Sequence, residues 1–171
     1  MNTYDAIRAR RNVRAYADRP ISAKDLDQVL EAARRTPSSM NEQRWDFIVV
    51  TDRKELQALS KVWDYAGHVA GSAATVALIA PDAKEASTRE SIQYDLGQAT
   101  MSIALAAADL GIGSGHAAVA DQKLARKLLG FPEDHFCAWL IALGYPADKA
   151  LKPIEKLKRR PFDAVVHRGR W

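Results

Sequence analysis

The stretch YDLGQATMSIALAAADLGIGSGH, residues 94–116, indicates a long buried helix followed by a glycine-rich segment. Its apolar residues recur at intervals of three and four, which is the spacing of one helix face. Alanines extend the apolar surface onto a neighbouring face, and a helix that is apolar on most sides is packed around its circumference. The pattern predicts a central helix from Ser87 or Thr88 to about Leu110, followed by Gly111 as a C-terminal cap.

Further helix and strand signals flank this central helix. A second buried helix is predicted to begin after Ser22, with Asp25 three residues later, and to end near Arg35. Caps of three more helices are predicted at Asn2 or Thr3, at Asp52 and at Asp121. Buried strands are predicted at 45–50, 73–80 and 136–143, with a short fourth strand after a Gly-rich turn in GIGSGHAAVA, residues 111–120. The predicted fold class is α+β, with four or five strands in a single domain over residues 1–171.

The composition is that of an ordinary globular protein, with 171 residues, 47% apolar and 27% charged. It excludes disordered, collagen-like and disulfide-scaffold classes. The lone Cys137 lies in a predicted buried strand, which indicates a reduced structural cysteine in a cytoplasmic protein. No apolar stretch is long enough for a membrane span, MNTYDAIRARR lacks the core of a signal peptide, and no metal site of usual spacing can be drawn.

Positive charge is concentrated at both ends of the chain. The net charge is +4, residues 1–20 contain five Arg and two Asp, and residues 152–170 contain seven Lys or Arg against two acidic residues. The part between is acidic. The ends are either solvated basic segments or two halves of an anion site, since arginine binds phosphate bidentately. A nucleic-acid surface is a third interpretation.

The first candidate site is RARRNVR, residues 8–14. In an extended segment Arg10, Asn12 and Arg14 point to the same side, which would form a phosphate grip. A solvated basic turn is the alternative.

The second candidate is the loop PSSMNEQ, residues 37–43, which leads directly into a predicted core strand. Its hydroxyls, amides and backbone groups can hydrogen-bond a polar heterocycle without carrying charge. A plain surface connection is the alternative.

Patterns for protein-borne catalysis are weak. GIGSGH follows a helix and lacks the third glycine of a dinucleotide fingerprint, and Ser114 does not match the nucleophile elbow. His116 is a lone imidazole beside small residues, for which a structural or exposed role is favoured. No carboxylate pair stands out. If the chain is an enzyme, the reactive group is therefore expected to be a cofactor, with no catalytic residue of the chain itself.

Five stretches resemble, in order, successive motifs of the nitroreductase family: RARRNVRAY, PSSMNEQRWDFIVV, YDLGQATMSIALAAADLGIGSGH, ALGYP and KRRPFDAVVH. The resemblance implies a nitroreductase-like α+β sandwich with a central mixed sheet of four to five strands flanked by helices. It also implies a homodimer with two flavin mononucleotides (FMN) at its interface. The tail, residues 152–171, would complete the dimer and the phosphate site.

The same resemblance implies site residues. The phosphate and ribityl chain would be held by Arg10, Arg11, Asn12 and Arg14, and from the tail by Arg159 and Arg160. The loop would lie along the flavin ring of the partner subunit through Pro37, Ser38, Ser39, Asn41 and Gln43. Backbone N–H groups at Val119 and Ala120 would approach flavin N5. The chain departs from the family pattern at Arg44, usually proline, and at Ala120, where glycine is common, and it is short for the family.

The implied function is an FMN-dependent oxidoreductase that takes hydride from NAD(P)H onto flavin N5. It would pass the hydride by a ping-pong mechanism to a small-molecule acceptor such as a nitro compound or quinone. A flavin-binding sensor or store without turnover is the first alternative. A basic nucleic-acid-binding module is the second, although Trp and Tyr are not interleaved with the basic runs as a stacking platform requires. We expect no nucleic-acid and no membrane partner.

Overall fold

The structure is a computed structural model that describes residues 1–156 and 158–171. Its α-helices are α1 Thr3–Ala9, α2 Ala23–Arg34, α3 Arg53–Leu59, α4 Ala86–Asp109 and α5 Gln122–Leu129. Its strands are β1 Asp46–Val50, β2 Ala74–Pro81, β3 Gly113–Ala118 and β4 His135–Gly144. All predicted elements are present, and apart from β3 their bounds differ from the predicted ones by one or two residues.

Side-chain caps begin four of the five helices as the sequence predicts. In α1, α2, α3 and α5, the residue just before the helix accepts a hydrogen bond from a backbone N–H in the first helical turn. These residues are Asn2, Ser22, Asp52 and Asp121. Each cap satisfies a donor that has no partner inside the helix. These polar residues therefore fix where the helices start.

The sheet has the order β1-β2-β4-β3, and all three pairings are antiparallel. The expectation of a mixed sheet is therefore wrong for the single chain. The long helix α4 connects β2 to β3, and these two strands run in the same direction. However, β4 inserts between these two strands, so that no parallel pair of strands is adjacent.

The Gly-rich segment, for which the sequence predicts a turn followed by a short strand, is mostly strand. Gly111, with φ +73°, makes the turn after α4, but Gly113 and Gly115 lie within β3. A Cβ on Gly113 would lie 2.5 Å from Cγ2 of Val13, and one on Gly115 would lie 2.3 Å from the Val13 carbonyl oxygen. These two glycines therefore allow the segment after α1 to lie directly against β3.

Both faces of the sheet are buried, which makes the fold a helix–sheet–helix sandwich. On one face Ala77 and Leu140 pack with α3 and α5, and on the other Val76 and Ile141 pack with α2 and α4. Cys137 is buried in the first of these clusters, and burial raises the pKa of its thiol to about 12. The structure thus confirms a buried structural cysteine. Among the described residues no helix is both long and apolar enough to cross a membrane.

Candidate functional site at the edge of the sheet

The arginine-rich segment lies in an extended conformation along β3. The Val13 N–H donates to the Ser114 carbonyl oxygen over 2.9 Å, and Asn12 forms an isolated parallel bridge with Ser114. Val13 is buried, so the residues on either side of it, Asn12 and Arg14, point away from the core. The predicted alternation is confirmed: Arg10 and Asn12 line one cavity and Arg14 lines a neighbouring one, whereas Arg11 lines a separate cavity of about 410 Å³ with Lys149, Ala150, Lys152 and Ile154.

Three adjoining cavities share His116, and we call their combined surface the His116 groove. The first, about 310 Å³, is lined by Arg10, Asn12, Ser114, His116 and Ile141, and by Gly97, Thr100, Met101 and Ala104 of α4. The second, about 470 Å³, is lined by Arg14, Trp63, Tyr65, His116, Ala118 and Trp139. The third, about 300 Å³, is lined by Gln93, Gly97, Thr100, His116 and Trp139. Together they form one depression along β3.

Aromatic side chains form much of the wall of this groove. The His116 ring meets Trp139 edge-on, with centroids 5.7 Å apart and an interplanar angle of 79°. Trp63 and Tyr65 contact each other with centroids 4.9 Å apart. Flat apolar walls of this kind suit a planar ring.

The charge in the groove is positive. Arg10 and Arg14 contribute guanidinium groups, and no Asp or Glu lines the three cavities in the described part of the chain. The groove therefore favours an anionic ligand. Across residues 1–156 and 158–171, no group of three or more His, Cys, Asp or Glu could hold a metal ion.

His68 lies next to the groove, and both of its ring nitrogens are buried without a hydrogen-bond partner among the described residues. Burial lowers the pKa of His68, the nearby backbone of Gly115 and Tyr65 opposes this in part, and the charges of Arg14 and His116 add to the lowering. These surroundings therefore favour the neutral form of the His68 imidazole.

Arg11 points to the opposite side of its segment. Its Nη2 donates to Asp148 Oδ1 and to the Lys149 carbonyl oxygen, each over 2.8 Å. This hydrogen bond holds the pKa of the Asp148 carboxyl below its usual range. Arg11 thus ties the arginine segment to residues 148–149, just before the tail, instead of entering the groove.

The tail arginines are not brought to the groove within one chain. Arg159 donates to the Lys158 carbonyl oxygen and Arg160 to that of Ala164, and both are exposed. Neither lines the three cavities.

The comparison with known proteins identifies the family. The family model described as the nitroreductase family matches residues 7–67 and 60–145. The chain belongs to the nitroreductase family. A relative from Archaeoglobus fulgidus, whose name pairs NADH dehydrogenase with NAD(P)H nitroreductase, is 35% identical over 169 residues, covering 96% of both chains. The FMN reductase [NAD(P)H] of Bacillus subtilis is 26% identical over 92% of this chain and 69% of its own length.

Solved structures agree with this assignment. A structure from Parabacteroides distasonis, also named for NADH dehydrogenase and NAD(P)H nitroreductase, is 28% identical with a TM-score of 0.85 and covers all of both chains. The nitroreductase-like α+β fold is therefore confirmed.

In this member of the nitroreductase family, Ala118 is the last residue of β3 that lines the groove. The Ala120 N–H donates to the Val62 carbonyl oxygen over 3.1 Å, so it is already engaged within the chain. Val119 packs against the core. The structure thus places the two predicted residues beyond the segment that lines the second cavity.

The nitroreductase loop 37–43 does not line the groove of its own chain. Ser38 Oγ accepts from the Gln43 N–H over 3.0 Å, and Ser39 donates to Asp95 of α4. The hydroxyls of both serines therefore contact protein atoms. Pro37, Asn41 and Gln43 are exposed.

Sequence reasoning missed much of the groove wall. His116, for which the sequence favours a structural or exposed role, is exposed, but its place where the three cavities meet has no signal in the sequence. Trp139 comes at least 74 residues after Trp63 and Tyr65 in the chain, so no local sequence pattern connects these three aromatic residues. Gly97 did carry a signal, because a glycine in the middle of a long helix destabilises it and needs a reason.

Proposed function

We propose that this chain is an FMN-dependent NAD(P)H oxidoreductase that passes hydride to a small acceptor such as a nitro compound or quinone by a ping-pong mechanism. The observation that carries the proposal is the pairing of Arg10 and Arg14 on one side of an extended segment with an aromatic groove that has no carboxylate in its lining. The names of the relatives, an FMN reductase and an NAD(P)H nitroreductase among them, support the same cofactor and reductant.

The groove fits the chemistry of FMN. Two guanidiniums suit a phosphate, and the aromatic walls suit a planar ring. A Cβ on Gly97 would meet nothing within 4 Å, so this helix position leaves open space at the junction of two cavities. The absence of a large side chain at Gly97 leaves room for a ligand beside the helix.

The residues of the chain bind and orient, while the bound FMN supplies hydride transfer at its N5 atom. Arg10 and Arg14 would hold the phosphate, with the Asn12 amide beside them. Trp63, Tyr65 and Trp139 would limit the position of planar groups and exclude water from the ring. Reductant and acceptor would use the same open side of the groove in turn, which is why the mechanism is ping-pong.

A homodimer would complete this site. The tail exposes apolar side chains to solvent, since Phe162 is 64% and Trp171 96% exposed. Such exposed apolar surface is typical of a protein interface. We propose that a second copy covers them, and that Arg159, Arg160 and the loop residues Pro37, Asn41 and Gln43 act at the partner's groove.

The absorption spectrum of the purified protein tests the cofactor. We expect a yellow protein that releases FMN on denaturation, and FAD as the main released flavin would contradict the proposal. Anaerobic mixing with NADH or NADPH should bleach the visible band, and a nitroaromatic or a quinone should restore it. A flavin that is bound but not reduced by either nicotinamide would favour a sensor or storage protein.

A further inference from the structure

The loop 37–43 has an unusual backbone. Met40, Asn41 and Gln43 have φ values of +52°, +57° and +51°, the left-handed region that favours glycine. Such residues are strained and persist only where their surroundings hold them. Met40 is also 92% exposed, so its own side chain does not hold it.

Asp95 of α4 is the group that holds the loop. The residue is only 5% exposed, and its two carboxylate oxygens accept the Ser39 N–H over 3.1 and 3.0 Å and the Ser39 hydroxyl over 3.1 Å. A buried carboxylate without such donors is costly, so the loop and the carboxylate stabilise each other. Immediately before the loop, Thr36 Oγ1 donates to Ser102 Oγ over 2.8 Å.

The helix separates the loop from the groove of its own chain. Asp95 and Ser102 are seven residues apart and therefore lie on the same face of α4. The groove residues of α4, which are Gln93, Gly97, Thr100, Met101 and Ala104, lie on the opposite face, since Gly97 is rotated by about 200° from Asp95 at about 100° per residue. A loop held at Asp95 is directed away from its own Arg10 and Arg14.

We propose that Asp95 is a positioning residue that fixes loop 37–43 in the shape that closes the groove of a second copy of this chain. Ser39 is the group through which Asp95 acts, so the Ser39 hydroxyl supports the loop and does not contact the flavin ring. The exposed residues Met40, Asn41 and Gln43 are then the part of the loop that meets the partner. This inference rests on the proposed FMN-binding homodimer.

Two variants test the positioning role, with a third as control. Asp95→Asn keeps the size of the side chain but removes its charge and one acceptor, and Ser39→Ala removes the hydroxyl contact from the other side. Each variant loses a charge-assisted hydrogen bond between Ser39 and Asp95, which holds the loop in place. Both should therefore weaken FMN binding in a fluorescence titration by roughly fivefold or more. Glu90→Gln, an exposed carboxylate on the same helix, should leave FMN affinity unchanged.

The double variant separates a shared contact from two independent losses. Asp95→Asn with Ser39→Ala should bind FMN about as well as Asp95→Asn alone, because both remove the same interaction. FMN affinity like that of the unmodified protein in both single variants would overturn the inference. If Asp95→Asn does not fold, Ser39→Ala with the same titration still decides it.

Mixed dimers test which groove the loop serves. Differently tagged chains carrying Arg10→Ala and Asp95→Asn are combined, and the heterodimer is purified. If the loop serves the partner, one groove receives an intact Arg10 and an intact loop, and one site per dimer binds FMN as in the unmodified protein. If the loop serves its own chain, both grooves are defective, and no such site remains.

The outcome with the unmodified chain separates this inference from the proposed function. No FMN binding by that chain would overturn both. Normal FMN binding by the unmodified chain, together with a heterodimer that has two weakened sites, would overturn the role of the loop in the partner's groove. It would leave the proposed FMN-binding function standing.

Discussion

The backbone N–H of Val13 donates to the carbonyl oxygen of Ser114 over 2.9 Å, and this contact lays the arginine segment along the edge of the sheet. With Val13 buried, the alternation of an extended backbone directs Arg10, Asn12 and Arg14 into the groove and Arg11 away from it. This long-range hydrogen bond therefore helps to place Arg10 and Arg14, and not Arg11, at the groove.

Removal of the groove arginines should weaken FMN binding. We expect Arg10→Ala and Arg14→Ala each to reduce FMN affinity tenfold or more, since a hydrogen bond to a charged group contributes roughly 1.5–3 kcal/mol. Arg11→Ala is the matched control, because it removes the same charge one position away but breaks the contact with Asp148 instead. Fluorescence titration measures all three, and equal losses for Arg11→Ala and Arg10→Ala would contradict the assignment of sides.

A small side chain at position 97 should raise the stability of the fold, whereas a large one should lower the affinity for FMN. Gly97→Ala places a methyl group in open space within a helix and should stabilise the fold by about 0.5–1 kcal/mol. Gly97→Leu should fill the space between α4 and His116 and lower FMN affinity by roughly tenfold or more. Thermal unfolding and FMN titration check the pair. A Leu variant with unchanged FMN affinity would place the flavin elsewhere.

Loss of the terminal apolar residues should disrupt assembly. A chain that ends at Arg160 lacks Phe162, Val165, Val166 and Trp171, all of which are exposed in the single chain. We expect light scattering to show a dimer for the full chain and a monomer for the shortened one, which should also bind FMN more weakly. A full-length monomer that retains FMN would contradict the dimeric site.

Acid should destabilise the fold through His68. Burial lowers the pKa of His68 in the folded chain, whereas the unfolded chain titrates near the ordinary histidine value of about 6.5. Below that value the unfolded state binds more protons, so stability present at neutral pH is lost as the pH falls. We expect the melting temperature to fall between pH 7.5 and 5, and to fall less steeply for His68→Gln.

The control for this measurement is His167→Gln in the exposed tail, which should show the same pH dependence as the unmodified chain. His68→Gln with that same dependence would assign the acid sensitivity to other groups.

Much of the fold could be predicted because its signals are local. Ser22 and Asp121 cap the helices behind them through contacts with the next three residues, and a capping signal is complete within that span. The antiparallel sheet was not predictable in the same way. It depends on β4 pairing between β2 and β3, and no periodicity within a strand specifies its neighbours.

The candidate site shows the same division. The alternation of Arg10, Asn12 and Arg14 could be read directly, because side chains alternate along any extended segment. The neighbours of these residues in the groove could not be predicted, because His116 and Gly97 lie beside them only when α4 is packed against the sheet.

The helices, the strands, the caps and the arginines that share a side are all predictable from the amino-acid sequence, since each depends on residues a few positions apart. The hydrogen bonds of Ala120 with Val62, of Arg11 with Asp148 and of Ser39 with Asp95 exist only in the folded chain. Each of these pairs is separated by more than 50 residues. Their contacts form because burial of the sheet on both faces brings distant segments together and leaves their polar groups to pair with each other.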